Sequence, residues 1–174
     1  MSSALSAPPF CSSLAGRKYE VAVVSLAAST FIPPHCTSAV ASQNGSSLLT
    51  DACQNPAATP AILARLCAAG SLNVNHVVKP LNRKWLLINK AFETVYKHNL
   101  APKTDLVRDM AHTRGSTALH FACSKGHLPF VRWLLQNGAH DSLHVRNKLG
   151  FTPLDLAHIF GPYPEVEALV GSTM

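Results

Sequence analysis

The chain has 174 residues, 47% of them hydrophobic, and a formal net charge of +6. That is long enough for one domain, and no apolar run approaches the roughly 18 residues that would span a bilayer. Five cysteines (Cys11, Cys36, Cys53, Cys67 and Cys123), an odd number with no Cys-x-x-Cys pair, fit reduced thiols and a cytosolic or nuclear compartment.

Residues 1–44 are rich in Ser and Ala, carry Pro8, Pro9, Pro33 and Pro34, and have Glu20 as their sole acid. A disordered or loosely packed extension is expected. An organellar leader is the second reading, held back because Arg17 and Lys18 are the only Lys or Arg and Val21 to Ala28 is a short apolar stretch. Residues 45–77 begin GSSLLTDACQNPAATPAILARLCAAGSLNVN. Ala52-Cys53, Leu66, Cys67 and Gly70 in this stretch return further along as Ala122-Cys123, Leu134, Leu135 and Gly138.

In residues 78–112, Trp85, Ile88, Phe92 and Val95 recur at helical spacing, which predicts an amphipathic helix over Asn82 to His98, and Thr104 is placed to cap a shorter one through Met110. Seven bases (Lys79, Arg83, Lys84, Lys90, Lys97, Lys103 and Arg108) outnumber Glu93, Asp105 and Asp109 there. A solvated helix face with an apolar core side is the first reading. An acidic protein or membrane surface comes next, and nucleic acid last, because no recognised nucleic-acid motif accompanies the charge.

The segment Gly115 to Ala139, GSTALHFACSKGHLPFVRWLLQNGA, carries the strongest signal. Thr117 is a good N-cap, Gly126 a helix stop and Pro129 a first-turn residue. Phe130, Val131, Leu134 and Leu135 give a second helix an apolar stripe, and Gly138 ends it. A copy begins 35 residues later: Gly150, Thr152, Leu154, Ala157, Gly161 and Leu169 match Gly115, Thr117, Leu119, Ala122, Gly126 and Leu134. Two short antiparallel helices cannot bury their apolar faces alone, so such pairs must stack on neighbours.

This pattern resembles that of the ankyrin repeats. The resemblance implies an all-α helix-turn-helix solenoid of about three repeats: a degenerate one at 45–77, a strong one at 113–147 and a C-terminal one at 148–174. Ankyrin repeats leave about ten residues between helix pairs. Taking out residues 78–112 restores that step, so the segment is read as an inserted, helical or partly disordered element. The alternative is a fourth, degenerate repeat, against which Asn89 would occupy the buried Ala position and no Leu-Leu-x-x-Gly ending appears. A fragment or splice form is a third reading. With Val166, Leu169 and Val170 ending the array uncapped, marginal stability or self-association is expected.

The same resemblance implies a binding module with no cofactor. Its contacts with another protein would come from the long finger, at His140, Asp141, Ser142, His144, Arg146, Asn147 and Lys148, and from Phe121, Ser124 and Lys125 beside it. His120 takes the family's hydrogen-bonding position within and between turns, and Asp155 replaces it in the next repeat. His140 and His144 have i, i+4 spacing, but an extended finger would not hold them as a metal pair. A phosphate loop, a Gly-x-Ser-x-Gly elbow, a His-Glu-x-x-His helix and a paired-carboxylate site are all missing from the sequence, so no catalysis is expected. The alternative function is a basic segment that meets nucleic acid or an acidic membrane, displayed on the repeats.

Overall fold

The computed structural model describes residues 43–55, 57–69 and 73–174. The expectations for residues 1–42 of the Ser-rich leader, with Cys11 and Cys36, and for Gly70 lie outside the described residues. Within them the chain is helical, without strands, in the order α1 (Leu48–Gln54), α2 (Pro60–Ala69), α3 (Arg83–Lys97), α4 (Asp105–Thr113), α5 (Ala118–Ser124), α6 (Leu128–Gln136), a 3-10 helix (Ala139–His144), α7 (Pro153–Phe160) and α8 (Pro164–Thr173). None of these helices is long and apolar enough to cross a membrane.

Local chemistry starts most of them. Side chains of Ser47, Asn82, Thr104 and Thr152 accept the orphan amides of Thr50, Trp85, Val107 and Asp155 at the first turns of α1, α3, α4 and α7. Gly126, at φ +67°, turns the chain out of α5, and Pro129 sits in the first turn of α6.

Three helix pairs stack. In the inner layer α1 and α7 flank α5, and in the outer layer α2 and α8 flank α6. Leu49, Leu63, Leu119, Leu134, Val131, Val166 and Val170 are fully buried between the layers, each contributing about 1.5–3 kcal/mol of transfer free energy. Thus α1–α2 stacks directly on α5–α6, although α3 and α4 lie between them in sequence.

Helices α3 and α4 pack on each other as a hairpin, and neither lies close along a repeat helix. The chain leaves and rejoins the stack at one point: the Val78 amide donates to the Ser116 carbonyl at 2.8 Å, and the Gly115 amide donates to the Val78 carbonyl at 2.9 Å. Val78 itself is fully buried, so it belongs with the stack.

One expectation is corrected. The finger after Gly138 is not extended throughout, because its first half is the 3-10 helix Ala139–His144. Ser142 anchors that turn by donating to Asn75 Oδ1 at 2.6 Å, while Asn75 Nδ2 donates to the Gly138 carbonyl at 2.9 Å.

Candidate functional site

The finger ends in a tight turn built around Asn147. Its Oδ1 accepts from the amides of Leu149 and Phe151, both at 3.0 Å, and its own amide donates to the Phe151 carbonyl. The turn is tied to the segment before α5 by the Lys148 amide, which donates to the Arg114 carbonyl at 3.0 Å. His140, Asp141, His144, Arg146 and Lys148 are exposed along this finger. The Arg146 guanidinium donates to the Gly150 carbonyl at 2.7 Å, which holds it in one orientation.

Four of the residues expected to offer contacts are buried instead. Ser142 and Asn147 are 0% and 4% exposed because Ser142 is bonded to Asn75 and Asn147 to its own turn and to His112, and Phe121 and Ser124 are 4% and 3% exposed on α5. All seven residues of α5 are buried. Helices α1 and α7 flank α5 and α6 backs it, and the hairpin reaches the residues at the two ends of α5 through side chains. Lys125, half-buried, donates to Asp109 of α4 at 2.7 Å, and Arg114 grips both carboxylate oxygens of Glu93 of α3. The bidentate pair is the stronger of the two by geometry. These latches span 16 and 21 residues of sequence, and no local motif marks them.

The hairpin meets α7 through rings. His112 sits with its centroid 4.8 Å from that of Tyr96, 5.2 Å from Phe151 and 5.5 Å from Phe160, and Arg108 lies 5.9 Å over Phe160. Burial, with Arg108 nearby, pushes the His112 imidazole down to about 4. Residues 78–112 also expose Lys79, Arg83, Lys84, Lys90, Lys97 and Lys103, together with Leu81, Leu87, Leu100 and Leu106.

His120 is a buried internal connector. Its Nδ1 accepts from the Thr117 amide at 3.1 Å, which leaves Nε2–H to donate to the Phe151 carbonyl of the next turn at 3.3 Å. Burial lowers it to about 4. In the next repeat Asp155 keeps the local half of that arrangement, its Oδ2 accepting from both the amide and the hydroxyl of Thr152 at 2.8 Å. Burial raises the Asp155 carboxyl, but those hydrogen bonds, with Arg146 and His158 nearby, bring it below its ordinary value.

Cys53 and Cys123 are buried on α1 and α5, and burial drives both thiols far above their ordinary range. Cys67 is partly exposed. Among the described residues no three His, Cys, Asp or Glu side chains gather to hold a metal. In a 3-10 helix, residues three apart eclipse one another, so the i, i+4 spacing of His140 and His144 does not align them on one edge.

Residues 84–173 match the family model described as ankyrin repeats, in three copies. That match takes in α3 and α4 and leaves out α1 and α2, whereas in space α1–α2 is the pair that stacks on α5–α6. A curated relative, the ankyrin repeat-containing protein ITN1 of Arabidopsis thaliana, is 41% identical over 56 residues, covering 32% of this chain. The chain spans only a tenth of that relative's length.

Proposed function

Because the chain belongs to the ankyrin repeat family, whose members generally serve as protein–protein interaction modules, we propose that it binds a partner protein through the exposed edge of the finger between α6 and α7. The observation that carries this reading is the row of exposed polar side chains at His140, Asp141, His144, Arg146 and Lys148 on a turn that is rigid from within. A pre-ordered loop loses little entropy on binding. Recognition is the activity, without covalent chemistry, since family members are generally non-enzymatic and the buried thiols of Cys53 and Cys123 are poorly ionised. Those thiols also favour a reducing setting, cytosol or nucleus.

Arg146 and Lys148 give this edge a cationic tip, and it suits an acidic patch on the partner. Reversing both charges, Arg146→Glu with Lys148→Glu, is expected to weaken binding roughly tenfold, at about 1 kcal/mol or less for each exposed charge. The measurement is a titration of an affinity-purified partner against wild type and double variant. Unchanged affinity would remove the finger from the site.

The inserted position of the hairpin is part of the same proposal. Residues 78–112 interrupt a three-pair array whose first pair, at 45–77, stacks on the pair of 113–147 and that in turn on 148–174.

A further inference from the structure

The hairpin engages the residues at the ends of the inner helices α5 and α7, and that contact has a legible chemistry. Lys125 and Arg114 receive the carboxylates of Asp109 and Glu93, while Phe151 and Phe160, at either end of α7, receive the flat side chains of His112 and Arg108. Of the three acids in residues 78–112, the two that turn toward the repeats are the ones that find cations there; Asp105 stays exposed.

The join is nevertheless incomplete. Long side chains make it, and the helix axes do not pack closely across it. Among the described residues, the buried side-chain atoms with no hydrogen-bond partner are Asn89 Oδ1, Arg108 Nε and His112 Nε2, and all three belong to the hairpin. Buried polar groups are nearly always satisfied inside a cooperative core, so their concentration here marks an attachment weaker than the stack it leans on. Both ends of the segment are meanwhile pinned at Val78 and Gly115, and side-chain hydrogen bonds also join the hairpin to its surroundings, His112 Nδ1 with Asn147 Nδ2 at 3.2 Å and Asn89 Nδ2 to Asn44 Oδ1 at 3.0 Å among them.

We propose that the α3–α4 hairpin is a displaceable occupant of the inner-helix ends, and that the partner these ends fit is an acidic helical segment. That segment carries two carboxylates placed for Lys125 and Arg114 and a planar side chain for Phe151 and Phe160. The proposal rests on the protein-binding reading above and adds a second surface, together with the chemistry of what binds there. In the free chain the tethered hairpin competes at high effective concentration, so an incoming segment must either outbind it or arrive when the latches are open.

Hydrogen exchange on the full wild-type chain tests the first half. Amides of α3 and α4 should exchange at least tenfold faster than those of α5 and α7, and the Glu93→Gln/Asp109→Asn variant should widen that gap while α5 and α7 keep their protection. Exchange of hairpin and repeats as one unit in wild type would overturn the idea. Tyr96→Ala, which loosens the ring contacts and leaves both ion pairs, should produce the same selective opening.

The second half uses a fluorescent peptide with the sequence of residues 83–113 as the probe. It should bind the Glu93→Gln/Asp109→Asn chain at least tenfold more tightly than wild type, and the peptide bearing E93Q/D109N should bind that opened chain at least tenfold more weakly than the native peptide. Equal binding of the two peptides would sink the carboxylate assignment. Failure of the native peptide to bind the opened chain would sink the site itself. Neither result touches the finger, which the Arg146/Lys148 variant examines separately.

Discussion

Gly126 and Tyr163 show how far a single residue's role is readable. A glycine that ends the first helix of a repeat is visible in sequence, and the φ of +67° gives the reason, since side chains rarely adopt it. What sequence does not show is that the Tyr163 ring lies where a Cβ would go, 2.5 Å from the position a methyl at Gly126 would take and 2.9 Å from one at Gly161. Both matched glycines therefore serve one aromatic ring from the following loop. Gly126→Ala should cost about 2 kcal/mol or more through backbone strain and overpacking together. Urea denaturation measures this, and adding Tyr163→Ala should recover the overpacking share but not the strain. A loss below about 0.5 kcal/mol would refute both the strain and the overpacking at this position. The buried candidates Phe121 and Ser124 illustrate the same limit, because their position in the repeat pattern is local information whereas their burial by the helices packed around α5 is not.

Elements whose boundaries depend on neighbours in sequence are the ones sequence reading locates well. Asn82, Thr104 and Thr152 cap helices by hydrogen bonds that reach three residues. The 3-10 helix Ala139–His144 escapes this kind of reading because its anchor, Ser142 to Asn75, spans 67 residues. The hairpin is intermediate: its two helices are legible from Trp85, Phe92 and Thr104, but its seat on α5 and α7 depends on Glu93, Asp109 and His112 finding partners far along the chain. Since Val78 and Gly115 already meet, replacing residues 80–113 by a short Gly linker should leave the six repeat helices folded, with one cooperative urea transition. Partly buried ion pairs such as Asp109–Lys125 contribute on the order of 1 kcal/mol, so the stack should lose no more than a few kcal/mol. Circular dichroism showing loss of the repeat helices along with the hairpin would make α3–α4 part of the core.

For the whole molecule, acid is the perturbation that the buried histidines sense together. His112 and His120 both titrate near 4 in the folded chain against 6.5 when unfolded. Between these values the unfolded state binds protons that the folded state refuses, so stability is complete above about pH 6.5 and falls as the pH drops toward 4. Each imidazole contributes up to about 3 kcal/mol of this dependence. The lowered carboxyl of Asp155 adds a loss of the same sign in more acidic solution. Thermal melts at pH 7.5 and pH 5 should show a lower midpoint at pH 5, and His112→Gln should shrink the difference; equal midpoints in wild type would refute the assignment. The stack also carries its own reporters. Cys53 and Cys123 lie on α1 and α5, the two inner helices that meet across the point where the hairpin enters, and both thiols are shielded and un-ionised. A thiol reagent can reach them only when that seam parts, while the partly exposed Cys67 reacts without waiting, so the chain contains a clock for the opening of its first repeat and a reference thiol against which to read it.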